Sequence, residues 1–477
     1  MPAAQERHVP LSGLVAGDLI LARCRQAFDL RLEASSIQPI AVAFSGGGDS
    51  LALLLAAAAW AALAGRRVLV LTVDHGLQPQ GAAWAQGAQA IADRLGLESR
   101  VLVWSGNKPA RGVPAAARAG RHRLLADAAR QAGARVILLG HTRDDIAEAR
   151  LMRQDGGSVG EPRSWSPCPV WPQGRGLFLL RPLLAMGRAE LRQLIAASGL
   201  SWIEDPANDN PAFARARARR TLHPPPLARE VARRAGGGAP THCAQSAPPP
   251  PLRGPPPPQA VEDEELHTLA DQAEVDVFGA IHIPREALAG ASAEAASRFL
   301  MVACLCAGGG ERPPRREQAQ RLALRLAAGE RFTATLAGAR VTAGDEVLIS
   351  REAGEAARGG LAALSLTPGD PVVWDGRFAA VAQAEGLTVR PLRGLSSRLP
   401  LQQRQGLKST PACVRAGLPV ITSDGELVTC PMLAWGAQAS LRGLVRGRLR
   451  AACGGFVTNE AQLTSASDGE PITGALS

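Results

Sequence analysis

From residue 38 to about residue 205 the chain alternates short apolar runs with longer segments of helical length. "IAVAFS" (40–45) predicts a strand and "DSLALLLAAAAWAALA" (49–64) a helix; "RVLVLTVDHG" (67–76) predicts a strand that ends in polar residues. The same alternation continues through a helix "GAAWAQGAQAIADRLG", a strand "SRVLVW", a helix "AARAGRHRLLADAARQAG", a strand "ARVILLGHT" and a helix "RDDIAEARLMR". Strands that alternate with helices imply an α/β fold, a parallel sheet with helices on both faces, and ligands bound outside the carboxyl ends of the strands. The most polar strand ends, at 45–50, 74–76 and 140–145, then fall on one edge.

Beyond this region the pattern changes. Residues 221–260 hold "HPPPLARE", "RAGGGAP" and "SAPPPPLRGPPPPQ", too rich in Pro and Gly for a helix or an interior strand, and are expected to form a linker or insertion. "AVEDEELHTLADQAEV" and "ASAEAASRFLMVACLCA" have helical character, and "RFTATLAGARVTAGDEVLISRE" predicts a β-hairpin. Short strands with turn signals follow between residues 370 and 450. The expected division is an N-terminal lead-in (1–37), a catalytic domain (38–220), the linker (221–260), a helical and hairpin accessory domain (261–365), a small α+β module (366–452) and a disordered tail (453–477).

Composition adds a charge asymmetry. Net charge is +10, and residues 1–220 carry 27 Lys+Arg against 18 Asp+Glu, so +9 of the excess lies there. Only Lys108 and Lys408 are lysines, so the positive charge is almost all guanidinium, a group shaped for bidentate contact with phosphate. This favours an anionic partner such as nucleic acid. The eight cysteines include no C-x-x-C pair and no zinc-ligand spacing, and are expected to be small buried hydrophobes. The first eighteen residues have no signal-type apolar core, and the longest apolar run, 51–64, is too short to span a bilayer, so a cytoplasmic chain without a membrane partner is expected.

The chemistry centres on "SGGGDS" (45–50), where a strand breaks on three glycines before a helix begins. Glycines let a backbone approach phosphate, and the helix N-terminus faces the anion. The stretch has neither the lysine of a Walker loop nor a G-x-G-x-x-G fingerprint. It ends instead in Asp49, a carboxylate that tolerates polyphosphate only with Mg²⁺ between them. "SGGGDS" resembles the PP-loop of the N-type ATP pyrophosphatases. With "TVDHGLQPQG", "AARAGRH", "LLGHTRDDIAEARLMR", "LLRPLLAMGRAELRQLI" and "WIEDPANDNPAFARARAR", the order and spacing over residues 38–220 resemble the tRNA(Ile)-lysidine synthetase family.

That resemblance implies a ligase reaction in two steps. ATP adenylates the C2 carbonyl of wobble cytidine 34 in tRNA(Ile) with a CAU anticodon, and the ε-amine of free L-lysine then displaces AMP. It implies ATP and Mg²⁺ as cofactors, tRNA(Ile) and lysine as partners, and a homodimer. Residue by residue, Ser45, Gly46, Gly47, Gly48, Asp49 and Ser50 match the PP-loop, with Asp49 as the metal ligand, and Asp74 and His75 match a strand end beside the nucleotide. Arg118 and Arg121 match basic positions facing ATP phosphates or tRNA, and His141, Asp145 and Glu148 match the catalytic "GH" and acidic positions. The carboxylates at i and i+3 share one helix face, where they would select lysine; an ordinary solvated face paired with Arg143 and Arg150 is the alternative. Arg181 matches the family's "RPLL" stretch, where a structural role is at least as well supported as a functional one, while Asp205, Asn208, Arg215, Arg217 and Arg219 match an element that approaches substrate and tRNA. The chain departs from the family at Ile146, Ala149 and His122, where Gln, Thr and Tyr are common. The competing readings are another PP-loop tRNA-modifying enzyme such as a thiolase, whose C-x-x-C cysteines are missing here, and a catalytically impaired tRNA-binding homologue.

Overall fold

The computed structural model describes residues 19–106, 108–155, 162–204, 214–222, 258–354, 361–423, 428–433, 438–454, 457–463 and 470–471. Asp205, Asn208 and nearly all of the proline-rich 221–260 stretch lie outside the described residues. The chain divides into two units, residues 1–166 with 177–255, and residues 167–176 with 256–477.

The first unit is built on a six-stranded sheet with strands in the order β3-β2-β1-β4-β6-β5. The strands are β1 (Ile40–Ala43), β2 (Val68–Asp74), β3 (Glu98–Val103), β4 (Val136–Leu138), β5 (Trp165–Pro167) and β6 (Phe178–Leu180). β1 runs parallel to β2 and β4, β2 to β3, and β4 to β6. The order reverses at β1, where the chain leaves first toward β2 and later toward β4, so a crevice opens at the carboxyl end of β1. The helices are α1 (Leu19–Arg31), α2 (Gly48–Ala64), α3 (Gly81–Arg94), α4 (Val113–Gln131), α5 (Arg143–Gln154), α6 (Arg188–Ser198) and α7 (Ala214–Leu222). α2 is apolar around its whole circumference, and every residue from Ser50 to Ala61 is buried. Its alanines bring neighbouring backbones close, and Gly65 ends it in the left-handed conformation. Among the described residues no helix is long and apolar enough to cross a membrane.

α1, β5 and β6 are elements that the periodicity did not predict. α1 buries Ile20, Cys24 and Phe28, a stripe one residue wide at i, i+4 and i+8. Phe28 packs against Trp60 of α2 with ring centroids 5.7 Å apart, and the Trp60 indole donates to Asp29 (2.7 Å).

In the second unit, β7 (Glu274–Val275), β8 (Ile281–Pro284), β9 (Phe332–Leu336), β10 (Ala339–Ala343) and β11 (Glu346–Arg351) form a sheet in the order β7-β8-β11-β10-β9. The expected hairpin is thus a three-stranded meander. Its first turn, Ala337-Gly338, has positive φ at both positions, the twist that suits a two-residue hairpin. Helices 293–307 and 316–327 cover this sheet with Phe299, Leu300, Cys304 and Leu326. Two four-stranded sheets complete the unit around Trp374, Phe378, Val420 and Met432. The tail, expected to be disordered, holds ordered residues: Glu460 and Leu463 are buried, and 470–471 pairs with the strand 439–443.

Two features of the second unit carry predictions. Asp375 is buried between two guanidiniums, accepting from Arg351 Nη2 (2.8 Å) and Arg377 Nε (2.6 Å), and Arg377 donates onward to the Gly417 carbonyl (2.8 Å). Asp375→Asn keeps the shape and strands two buried cations, so the second unit should lose about 3–5 kcal/mol in denaturant unfolding. His282 bridges Asp276 (3.3 Å) and Glu346 (3.0 Å). Its bond to Asp276, against the opposing effect of burial and with help from Glu346, raises it from 6.5 to about 9. A raised pKa gives stability that is complete below about pH 6.5 and lost as pH rises through about 9. Amide protection in β8 and β11 should therefore fall across that window in the wild-type chain and stay flat in His282→Gln.

Candidate active site

The loop from β1 to α2 is shaped by its own residues and by one distant strand of chain. Gly46 has φ +82°, and a Cβ there would lie 2.7 Å from Ile203 Cδ1. The Ile203 N–H donates to the Gly46 carbonyl (2.8 Å), and Trp202 packs over Gly48. Ser50 donates to the Gly47 carbonyl (2.8 Å) and accepts from the Ser45 N–H (3.3 Å), with the Ser45 hydroxyl 3.1 Å away. Gly140, at the end of β4, meets the α2 backbone so closely that a Cβ would lie 3.1 Å from Ser50 Cα. The first turn of α2 thus begins at the carboxyl edge of the sheet, and the N–H groups of a helix N-terminus can receive an anion.

Beside this loop the structure gathers Asp49, Asp145 and Glu148 around one side chain, Arg188, the first residue of α6. Its Nε donates to Asp49 (2.9 Å), Nη2 to Asp145 (2.9 Å) and Nη1 to Glu148 (2.6 Å). Arg215 of α7 binds Asp145 and, through Nε, Glu148 (2.8 Å), and Arg219 binds Glu148 (3.0 Å). Asp145 also caps α5, accepting from the Thr142 N–H (2.7 Å) and hydroxyl (3.1 Å). Glu148 is 1% exposed. Burial alone would raise its pKa, but the bonds from Arg188 and Arg215 hold it down to about 2. Burial raises the Asp49 pKa, and Arg188 opposes that shift.

The solvated-face alternative for Asp145 and Glu148 is therefore excluded, and Arg143 pairs with Glu190 (2.9 Å) instead. Arg215 and Arg219, expected to face substrate and tRNA, lie on the acidic pair. Arg188 lies within "LLRPLLAMGRAELRQLI", where the motif pattern does not mark it as a site residue. Its signal was positional, a cation at the start of a helix behind Gly187, where the macrodipole disfavours positive charge unless acids lie opposite.

His141 is held neutral. Burial, with Arg181 and Arg118 nearby, lowers its pKa to about 2. Arg181 Nε donates to His141 Nδ1 (3.1 Å); a guanidinium can only donate, so the ring proton sits on Nε2 and that edge is a donor. Arg181 also holds the Arg163 carbonyl (2.7 Å) and the Ser166 hydroxyl (3.0 Å). Its neighbour His122 is buried and neutral as well, lowered to about 3 by burial and by Arg121.

Arg118 and Arg121, from α4, have no ion-pair partner among the described residues. Burial, with Arg118 and Arg215 close by, lowers Arg121 to about 10. Asp74 and His75 stand at the end of the adjacent strand β2. Asp74 accepts from the Gly76 N–H (2.8 Å) and leaves no room for a side chain at Gly81, while His75 meets Trp104 edge-on at 6.2 Å. No bond joins them to the carboxylate cluster among the described residues; the His75 ring senses Arg121 electrostatically. Among the described residues no three His, Cys, Asp or Glu side chains are disposed to hold a metal by themselves. The hard oxygens of Asp49, Ser45 and Ser50 fit Mg²⁺ only with phosphate oxygens completing its shell.

A family model described as the PP-loop domain matches residues 22–225. The tRNA(Ile)-lysidine synthase of Caulobacter vibrioides is 47% identical over 91% of this chain and 98% of its own length. Enzymes of the same name from Hyphomonas neptunium (37% identity over 64% of this chain and 79% of theirs) and Rhizobium meliloti (35%, 73% and 74%) are also similar. With a PP-loop at the switch point of a parallel sheet and likeness over nearly its whole length, the chain belongs to the tRNA(Ile)-lysidine synthase family, ligases that use ATP.

Proposed function

We propose that the enzyme adenylates the C2 carbonyl oxygen of cytidine 34 in tRNA(Ile) bearing a CAU anticodon, and that the ε-amine of free L-lysine then attacks C2. The oxygen attacks the α-phosphorus of ATP and pyrophosphate leaves; the ammonium loses a proton to solvent, the neutral amine nitrogen bonds to C2 and gives up a second proton, the C2–O bond breaks and AMP carries the oxygen away. The observation that carries this reading is that unpaired Arg118 and Arg121 and the Asp49–Asp145–Glu148 cluster come to the same sheet edge as the glycine turn. In this reading the Gly46–Gly48 backbone and the two arginines hold the phosphates. Asp49, with Ser45 and Ser50, would hold Mg²⁺, which neutralises the charge developing on the pyrophosphate. Asp74 and His75 flank the nucleotide, and the His141 Nε2–H donates to an oxygen of the reacting centre.

The acidic pair selects lysine. Three carboxylates and three guanidiniums leave the cluster neutral, so a lysine ammonium binds only when one guanidinium withdraws. Arg215 and Arg219, at 43% and 30% side-chain exposure against 16% for Arg188, are the ones placed to leave, and tRNA phosphates are the anions that would receive them. A cytoplasmic homodimer belongs to the same proposal, as does the division into a 38–220 catalytic domain, 261–365 accessory domain and 366–452 tRNA-contact domain, with residues 167–176 and the helix 445–453 packing outside those bounds.

Mass spectrometry of tRNA(Ile) incubated with enzyme, Mg-ATP and labelled lysine should show one lysine added at position 34; an unmodified tRNA overturns the reading. Asp49→Asn should cut pyrophosphate release about a hundredfold or more while leaving the melting temperature unchanged. Asp145→Asn and Glu148→Gln should each raise the KM for lysine, by about 2–4 kcal/mol of lost charge-assisted bonding. Exchange of labelled pyrophosphate into ATP without lysine should suffer less in at least one of the two.

A further inference from the structure

Arg188 differs from the other arginines of the site in where it comes from and how it is held. Its own N–H donates to Asp144 (2.9 Å), so the first turn of α5 caps the first turn of α6. Glu190, two residues on, takes Arg143 (2.9 Å) and Arg23 (3.3 Å), and the Arg143 N–H donates to the Met186 carbonyl (2.9 Å). The backbone that carries Arg188 is thus fixed from two directions before its side chain is considered. That side chain then spends each of its three nitrogens on a different carboxylate: Asp49 from α2, Asp145 and Glu148 from successive turns of α5.

We infer that Arg188 is a positioning residue that couples the two half-reactions, setting the PP-loop carboxylate and the lysine-selecting pair in one geometry. This rests on the roles proposed above for Asp49, Asp145 and Glu148. Asp49 belongs to the adenylating centre and the other two to the amine centre, and one rigid planar group spans them. The planar fork fixes direction as well as distance, so a movement of Asp49 on one edge is transmitted to Asp145 and Glu148 on the others. A lysine at the same place supplies an equal charge from one nitrogen on a flexible stem and cannot set three directions together. Among the described residues Arg215 and Arg219 make ion pairs with Asp145 and Glu148 and none with Asp49, so neither bridges the two centres in its place.

The test uses the full-length chain with tRNA(Ile), and follows two readouts: lysine-independent exchange of labelled pyrophosphate into ATP, and lysine-dependent AMP formation resolved into kcat and KM. Arg188→Lys should melt within about 3 °C of wild type, lose about tenfold or more in exchange and raise the KM for lysine about tenfold or more. Arg188→Ala should recover both activities in tens of millimolar guanidinium but not in equal ammonium. Either half-reaction remaining within about threefold of wild type in Arg188→Lys, or equal rescue by the two cations, overturns the coupling. Asp49→Asn and Glu148→Gln are assayed alongside. If those two are impaired and Arg188→Lys is not, the inference alone fails; if both keep wild-type half-reactions, the site assignment fails and takes the inference with it.

Discussion

A carboxylate withdrawn from water stays ionised only where cations stand close enough to replace its hydration, and the first unit is arranged around that requirement. Three acids from α2 and α5 meet three guanidiniums from α6 and α7, and the result is electrically balanced. The sheet order makes the meeting possible. Because β1 and β4 are neighbours, the helices that follow them begin side by side, and Gly140 lets the two starts approach to van der Waals contact. A cluster balanced in this way takes in a further charge only by exchange with one already present.

The PP-loop and the strands that carry it were legible because local chemistry dictates them: "SGGGDS" between two apolar runs has few foldable alternatives. The acidic pair was legible as a pair, but its partners were not. Arg188, Arg215 and Arg219 lie 40 to 71 residues from Glu148, and no periodicity links side chains across such separations. α1 escaped because its buried stripe carries only one apolar residue per turn, and "LILARCRQAFDLR" looks polar to a window that averages. β6 escaped because three buried residues, "FLL", are too few to show a period.

In the second unit the positions hardest to foresee are those where backbone meets backbone. A Cβ at Gly309 or Gly376 would collide with the facing main chain, so the segments 308–310 and 375–377 press together without side chains between them. Asp375, forced to positive φ beside this contact, turns its carboxylate toward Arg351 and Arg377. The helix 445–453 buries Val445, Leu449 and Cys453 in the core formed by residues 266–349, although the chain returns to it only after building two further sheets. Such contacts follow from topology, and local composition does not announce them.

That topology bears on how the chain is made. Residues 167–176 leave the first unit between β5 and β6 and belong to the second, where the Trp171 indole donates to the Gly376 carbonyl (2.8 Å) and Arg448 lies over its ring at 4.3 Å. Trp171 and Gly376 are 205 residues apart, so at about 5–20 residues per second a ribosome needs roughly 10–40 s to deliver the partner after the tryptophan has been added. During that interval a tryptophan-bearing segment is on the nascent chain with nothing to pack against, and any earlier release from the ribosome, by a stop codon or a stall, leaves it so permanently. The ten-residue excursion makes completion of the polypeptide a condition for burying a part of its first half.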